Sequence, residues 1–209
     1  MPDFALSPRT GLEQLLLPGT HNAPADEPGV VVALRSDLAL AYVMARKGKV
    51  EDLRQRMLDR FGVTLPTTAQ RAEKSGSLSF DSLNLIWAGP ARWLAGTSTQ
   101  AAASLEVLLR KELSGLASVV NQTDGRSIFR ISGPQAREVL ARGVPIDIDP
   151  LVFGPGDTAL TLAGHISVHF WQADLSPTYE FAVPRSFAAS FYEWLFAASA
   201  KYGMLVRPA

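Results

Sequence analysis

His165 and His169 are the side chains whose type and spacing come nearest to a chemical site in this sequence. A spacing of four would align them on a helix. The alternation of Ile166, Val168 and Phe170 with polar residues instead predicts a strand, which also places both rings on one side. No third histidine or acidic ligand stands close beside them, whereas protein metal sites normally have three or four ligands. We therefore interpret the pair as part of a polar sheet face.

Two further motifs resemble sites but lack necessary parts. Asp147 and Asp149 share one side of an extended segment, as paired catalytic carboxylates do, yet two prolines flank them and predict a solvated loop. The segment Gly154-Pro155-Gly156 lacks a preceding strand, a following helix and the Lys-Ser/Thr of a phosphate-binding loop. The sequence thus predicts no catalytic residue, no cofactor-binding residue and no metal ligand in this chain.

The composition argues against several other classes of function. The 209 residues contain no cysteine, which excludes a disulfide framework, a thiolate metal site and a cysteine nucleophile. Because 20 Lys+Arg balance 20 Asp+Glu, the chain has no net positive charge to attract nucleic acid. The longest uncharged stretch contains two histidines and a glutamine, and the first residues lack a secretory signal. We expect a cytoplasmic protein with neither nucleic-acid nor membrane partners.

A proline-rich N-terminal arm, residues 1–28, precedes the strands and helices that must position the candidate histidine and aspartate side chains. Within it, Leu12, Leu15 and Leu16 indicate one helical turn. Residues 29–209 are predicted to form an α+β domain that divides into two intertwined subdomains, at about 29–115 and 116–209.

In the first half of that domain, alternation from Leu38 to Met44 predicts a strand. Helical spacing from Val50 to Phe61 predicts a helix that ends at Gly62. The polar segment from Thr64 to Ser79 is predicted to be a loop. A hairpin that turns at Gly89-Pro90 and a further helix follow it.

The second half repeats the same order of elements. A strand from Leu116 to Val120, a turn at Asp124-Gly125 and a strand from Ile128 to Ile131 indicate another hairpin, and a helix opens at Gly133-Pro134. Three more strands are predicted at Leu160 to Ala163, Ile166 to Trp171 and Tyr179 to Val183. Hairpins followed by helices predict an α+β fold with mainly antiparallel sheets, each with helices packed on one face.

A C-terminal helix, from about Phe187 to Tyr202, is apolar on nearly every side. Such a helix is buried on more than one side, either as a central core helix or against another chain. Aromatic anchors concentrate at interfaces between proteins. We therefore predict a partner interface formed by Phe187, Phe191, Tyr192, Trp194 and Phe196.

Four segments, taken in order, resemble one protein family. They are Trp87-Ala88-Gly89-Pro90-Ala91-Arg92-Trp93-Leu94, the segment from Asp124 to Gly143 with Ile131-Ser132-Gly133-Pro134 at its centre, Pro145-Ile146-Asp147-Ile148-Asp149-Pro150 with Phe153, and Glu180-Phe181-Ala182-Val183-Pro184-Arg185-Ser186-Phe187-Ala188. Together they span most of residues 83–206. This pattern resembles the gamma subunit of heterotetrameric sarcosine oxidase.

The resemblance implies a fold similar to the folate-binding aminomethyltransferases of glycine cleavage. It also implies a place in a four-subunit flavoenzyme that oxidatively demethylates sarcosine to glycine. The implied partners are an alpha subunit with NAD and tetrahydrofolate, a beta subunit with FAD and FMN, and a delta subunit with zinc. The resemblance assigns the gamma subunit no cofactor and no catalytic residue, so a structural role in assembly is expected.

One departure from the related transferases bears on the alternatives. Those enzymes keep an Asp at the end of the strand before the turn, where this sequence has Asn121 and Gln122, and an amide cannot accept a proton as a carboxylate does. A stand-alone folate-dependent aminomethyltransferase using Gln122 or Asp124, and a folate-sensing module, are the alternative functions. The same subunit would also fit an oxidase or dehydrogenase of a related N-methyl amino acid.

Overall fold

Two β-sheets lie face to face in the computed structural model, and each carries two helices on its outer side. The structure describes residues 12, 15–22, 27–69, 71–75, 82–98 and 102–208. The described strands are β1 (Gly19–His21), β2 (Val30–Arg35), β3 (Ala39–Ala45), β4 (Arg71–Ser75), β5 (Ser82–Trp87), β6 (Arg92–Thr97), β7 (Ala117–Asn121), β8 (Arg126–Ser132), β9 (Thr158–Ala163), β10 (Ile166–Asp174), β11 (Thr178–Pro184) and β12 (Met204–Arg207). The described helices are α1 (Val50–Phe61), α2 (Ala102–Glu112), α3 (Ala136–Leu140) and α4 (Ala188–Ser199), the last preceded by a 3-10 turn, Arg185–Phe187.

Both sheets are built almost entirely from antiparallel pairs. The seven-stranded sheet has the order β1-β12-β2-β8-β11-β10-β9, and the five-stranded sheet has the order β4-β5-β6-β3-β7. Among the described strands, only β12 and β2 pair in parallel. The expected α+β class with mainly antiparallel sheets is therefore confirmed.

The chain crosses between the sheets at the turn that was predicted to close a hairpin. β7 pairs with β3, whereas β8 pairs with β2 and β11, so the hairpin prediction for these two strands is wrong. The backbone N–H of Gln122 donates to Leu40 O (2.8 Å), and the Thr123 hydroxyl bonds to the Leu40 backbone, which holds the crossover against β3. Asp-Gly favours a reversal of the chain, but it does not specify in which sheet the next strand pairs.

Four strands, β1, β2, β4 and β12, lack the alternating pattern that identified the others. The predicted loop from Thr64 to Ser79 contains β4, which pairs with β5, so that prediction is wrong over Arg71–Ser75, and residues 70 and 76–81 lie outside the described residues. β4 has a polar sequence that carries no strand signal. β2 is a continuous apolar run, typical of a strand buried in a core, and β12 is short.

The N-terminal arm contributes to the seven-stranded sheet where the structure describes it. β1 pairs antiparallel with β12 at the edge of that sheet. Leu12 is buried, and its carbonyl accepts hydrogen bonds from the backbone N–H groups of Leu15 (2.9 Å) and Leu16 (2.8 Å), which is the predicted turn. The prolines at positions 2, 8 and 24 lie outside the described residues.

Three hydrophobic layers hold the elements together. The outer layer of the seven-stranded sheet packs against α3 and α4, and that of the five-stranded sheet packs against α1 and α2. The layer between the sheets is smaller and is formed by the buried residues Leu40, Ile86, Leu94, Ile128, Trp171 and Ala182. Helix α1 has the predicted bounds, and Gly62 ends it in the left-handed conformation at φ 63°.

Gly133 is a position where a side chain would collide with backbone. Its φ of 110° is rarely adopted by L-residues, and a Cβ there would lie 2.5 Å from the backbone oxygen of Gly29. The neighbouring Gln135 N–H donates to that same Gly29 oxygen at 3.0 Å. The close approach fixes the start of α3 against the segment that leads into β2.

We predict that Gly133→Ala lowers the free energy of unfolding by about 3 kcal/mol, because it combines backbone strain with a clash against a backbone atom. Urea denaturation followed by circular dichroism measures this loss. Gly154→Ala is the matched control, since a Cβ at Gly154 meets nothing closer than 3.9 Å. Equal stability of the two variants would contradict the assigned constraint.

Candidate functional site

The inner face of the seven-stranded sheet presents its side chains in cross-strand rows. One row consists of Arg130, Glu180, Trp171 and Thr158, taken from β8, β11, β10 and β9 in that order. The next row consists of Ile128, Ala182, His169 and Leu160. Apart from Leu160 at the sheet edge, these rows face the five-stranded sheet, and their buried polar side chains are Thr158, His169 and Glu180.

Glu180 is a buried carboxylate that holds two arginines. Its Oε1 accepts from Arg35 Nη1 at 2.8 Å and from Arg130 Nη2 at 2.8 Å and Nε at 3.1 Å, while Oε2 accepts from Trp171 Nε1 at 3.1 Å. Arg35 also makes a two-point ion pair with Asp37, with its Nε at 2.6 Å and its Nη2 at 2.7 Å from the two carboxylate oxygens. The Arg35 guanidinium holds the pKa of the Asp37 carboxyl below its usual range.

A cleft of about 190 Å³ lies beside this cluster, at the seam between the sheets. Asn84 and Ser98 contribute polar groups from the five-stranded sheet, opposite Arg130 and Glu180. Both Glu180 oxygens already accept hydrogen bonds, and two carboxylates balance the two arginines. The cluster is therefore suited to holding strands in register, and Glu180 would act as a base only after it had released its partners.

His169 is enclosed in the same layer as a neutral ring. The Thr158 hydroxyl donates its single proton to Phe170 O (2.9 Å), so His169 Nε2 donates to Thr158 Oγ1 at 2.8 Å. Burial, helped by the positive charge of Arg126 and opposed by a contact with the Trp87 backbone, lowers the His169 pKa to about 4. The ring is therefore uncharged at neutral pH.

His165 does not share a sheet face with His169, so that expectation is wrong. It follows Gly164 in the turn between β9 and β10, where its φ is 72°, and it is exposed. Alternation from Ile166 onward located the strand correctly, but the two residues before it, Gly164 and His165, form the turn. Among the described residues, no group of three or more His, Asp or Glu side chains is placed to hold a metal ion.

The two carboxylate candidates form loop contacts, as the sequence analysis expected. Asp147 Oδ1 accepts from the Asp149 N–H at 2.9 Å, and Asp149 Oδ1 accepts from the Leu151 N–H at 2.9 Å. Each carboxylate therefore stabilises a turn two residues further on. Gly154 donates its N–H to Asp157 Oδ2 at 2.8 Å, so this N–H group is already bonded within the loop.

Asn121 and Gln122, where the related transferases keep an Asp, are hydrogen-bonded to their own crossover. Asn121 Oδ1 accepts from the Thr123 N–H at 2.9 Å, and Gln122 Nε2 donates to Asn121 O at 2.9 Å. The Asp124 side chain is 97% exposed and lies 3.9 Å from Arg185. These amides shape the crossover between the sheets and do not converge on the cleft.

The five predicted interface aromatics divide between the core and the surface. Phe191 is fully buried against Phe129 and Phe181, and Tyr192 is buried as well, so both serve the core of this chain. Phe187 is 53% exposed, and Trp194 and Phe196 are partly buried. A Cβ on Gly143 would overlap the Trp194 ring, which therefore lies directly on this backbone.

An apolar cleft of about 350 Å³ opens between α4 and the N-terminal arm. It is lined by Leu15, Leu17, His21, Tyr192, Glu193 and Phe196. The His21 ring meets the Phe196 ring edge-on, with centroids 5.8 Å apart, and Leu17 is 56% exposed. We name this surface the arm cleft. Its apolar lining suits the burial of a side chain from another polypeptide.

No helix in the described part of the chain is long and apolar enough to cross a membrane.

Comparisons with known proteins agree with one another. The model of the "Sarcosine oxidase, gamma subunit family" matches residues 59–201 of this chain. Sarcosine oxidase subunit gamma of Corynebacterium sp. (strain P-1) is 29% identical over 127 residues, which cover 59% of this chain and 60% of that relative. The matched region therefore spans less than two thirds of the relative's length.

Two solved structures share the fold. A chain of the heterotetrameric sarcosine oxidase from Corynebacterium sp. U-96, solved with pyrrole 2-carboxylate, superposes with a TM-score of 0.72 at 22% identity, over 87% of this chain and 89% of that chain. Aminomethyltransferase T of the glycine cleavage system from Bartonella henselae gives a TM-score of 0.61 at 15% identity, over 83% of this chain and 47% of the enzyme. The predicted aminomethyltransferase-like fold is thus confirmed.

We predict that Glu180→Gln lowers the free energy of unfolding by about 3 kcal/mol, because Arg35 and Arg130 then face each other without a buried negative charge. Chemical denaturation at neutral pH measures the loss. Glu51→Gln is the control, since Glu51 forms an exposed pair with Arg54, and its loss should change stability by less than about 0.5 kcal/mol. A Glu180 variant as stable as this control would contradict a stabilising role for the ion pairs of Glu180 with Arg35 and Arg130.

We predict a second effect, on the pH dependence of stability, at His169. The unfolded histidine binds a proton near its ordinary pKa of 6.5 and the folded one near 4, so the folded state loses about 3 kcal/mol as the pH falls across this window. His169→Gln removes this part of the pH dependence. Urea denaturation of both proteins between pH 7.5 and 4 isolates it, and parallel stability curves would contradict the neutral buried ring.

Proposed function

This chain belongs to the sarcosine oxidase gamma subunit family, and we propose on that basis that it is the gamma subunit of a heterotetrameric, flavin-dependent sarcosine oxidase. The match to the family model over residues 59–201 carries the proposal. In that enzyme it supports assembly and has no active site of its own. The internally bonded Glu180 cluster and the crossover amides support this role, since these polar groups already have partners within the chain.

The catalytic chemistry of the proposed complex belongs to its other subunits. Oxidative demethylation of sarcosine to glycine removes two electrons from the N-methyl group, and a flavin is a suitable acceptor. We assign FAD and FMN to a beta subunit, NAD and tetrahydrofolate to an alpha subunit, and zinc to a delta subunit. The complex is proposed to work in the cytoplasm.

We place one contact with these partners on the exposed side of α4 and on the arm cleft. Phe196 lines the arm cleft above Tyr192, Trp194 is partly exposed beside buried Phe191, and Phe187 is 53% exposed in the 3-10 turn before α4. Aromatic side chains backed by a rigid core make effective anchors, because little conformational entropy is lost when they are covered. Glu193 at the rim favours a basic side chain on the partner.

The experiment that tests the function is a tagged purification of this chain from its native cell extract. Absorbance of the purified material reports bound flavin, and peroxide released on addition of sarcosine reports activity. Flavin and sarcosine-dependent peroxide recovered with the chain support the proposal. A chain recovered alone and colourless contradicts it and favours the aminomethyltransferase alternative, which saturable tetrahydrofolate binding by the isolated chain would test.

We predict that Phe187→Glu combined with Phe196→Glu lowers recovery of the flavin-bearing subunits at least tenfold when all subunits are coexpressed, because two aromatic anchors become charged. Leu58→Glu is the matched control, a half-exposed apolar residue on α1 of the other sheet. Circular dichroism of each free chain confirms that the variants fold. Unchanged recovery with the double variant would remove α4 from the interface.

A further inference from the structure

One part of the inner face of the seven-stranded sheet lies beyond the cover of the five-stranded sheet. Leu160 and Leu162, both on edge strand β9, are 50% and 42% exposed. They line an open groove of about 500 Å³ whose other walls include Ser167, Pro145, Pro184 and Arg126. We name this surface the cross-strand groove. The groove lies where the hydrophobic layer between the two sheets reaches the solvent.

Arg126 supplies the only cation that lines this groove among the described residues. Its Nη2 donates to the Tyr42 hydroxyl at 3.0 Å and its Nη1 to Ala182 O at 3.3 Å, so both of its partners are neutral. No described carboxylate forms an ion pair with it; the nearby Asp124 carboxylate lies 3.9 Å from Arg185. The other titratable group close to it, His169, is neutral. A half-buried guanidinium without a counter-charge favours an anionic partner.

The distance between the two ends of the groove indicates the size of its occupant. Arg126 lies on β8 and Leu162 on β9, and the sheet order β8-β11-β10-β9 separates these strands by three spacings. At the usual strand spacing this is about 14 Å. About four residues of extended chain span that distance. The groove is open along its length, which suits a polypeptide segment better than an enclosed small molecule.

We propose that the cross-strand groove receives an extended segment of a partner subunit, which places an apolar side chain on Leu160 and Leu162 and an Asp or Glu carboxylate on Arg126. The proposal rests on the proposed function, since it takes the partner to be another subunit of the complex. Exposed leucines supply apolar area for burial, and Arg126 fixes the direction of the bound segment. This surface is separate from the arm cleft, which uses α4 and β1.

The first test compares Leu160→Asp/Leu162→Asp with Leu175→Asp in the coexpressed complex. Leu175 is 87% exposed in the turn between β10 and β11, at the far end of β10 from Ser167, and so is a matched control. We expect the double variant to weaken association at least tenfold, because two carboxylates replace the apolar contact and would lose water against the partner's apolar side chain. The control should leave association unchanged. Equal association of the double variant and the unaltered chain would overturn the proposal while leaving the function intact.

The second test identifies the occupant directly. A photoreactive benzoylphenylalanine replaces Leu162 in the coexpressed complex, and the cross-linked peptide is sequenced by mass spectrometry. A peptide from another subunit, with an apolar residue about four positions from an Asp or Glu, supports the proposal. A peptide from a second copy of this chain, or one without a carboxylate, overturns it. No assembly of the unaltered chain would overturn this proposal and the proposed function together.

Arg126→Met supplies a third readout that a purely structural role would not affect. If Arg126 binds a carboxylate across the interface, association of the unaltered complex weakens as salt is raised from about 50 to about 300 mM, and the variant loses part of this dependence. The free energy of unfolding of the isolated variant chain, compared with that of the unaltered chain, reports the cost of losing the hydrogen bond to Tyr42. Identical salt dependence of the two complexes would overturn the assignment of Arg126.

Discussion

The buried contact of Glu180 with Arg35 and Arg130 is the constraint on which the arrangement of the two sheets depends. Arg35 ends β2, just before the chain crosses to the other sheet, and its guanidinium joins Glu180 in one sheet to Asp37 in the crossover. Removing charge from water is costly unless the charges meet with good geometry, so a misplaced crossover would leave buried ions unpaired. At the second crossover, the bond from Arg126 to Tyr42 links the two sheets in a comparable way. Arginines thus hold the two points at which the chain changes sheets.

The sequence predicted those elements whose periodicity reflects one buried face. α1 and the strands around Leu40, Leu85 and Phe170 have clear patterns, because each has one side in a core and the other in a different environment. β4 is polar and β2 is apolar from Val30 to Leu34, so neither sequence alternates. Which strand pairs with which depends on contacts between distant residues, and a local turn signal at Asp124-Gly125 carries no information about them.

The candidate site was harder to predict than the fold, for a related reason. Arg35 and Glu180 are 145 positions apart, and the sequence analysis did not single out Glu180. The signal that could have found it is a carboxylate inside an apolar strand, which requires a buried partner without identifying it. The all-round apolar pattern of α4 predicted burial on more than one side, but six of its 12 residues are buried and Ser190, Glu193 and Ala197 form an exposed stripe. The pattern did not distinguish Phe191, which is buried in the core of this chain, from Phe187, which is exposed. Both are apolar residues at helical spacing, so the sequence treats them alike.

The position of β12 between β1 and β2 has a consequence for biosynthesis. A nascent chain makes β1 and β2 early, but until residues 204–207 have been made β1 lacks its described sheet neighbour and β2 lacks one of its two. Until then, the outer edge of β2, with its run of valines, has unpaired backbone groups and is exposed to incorrect pairing with other strands. Such long-range pairing also forms slowly. The outer edge of β2 therefore stays open to mispairing for most of the time that the chain takes to be synthesised.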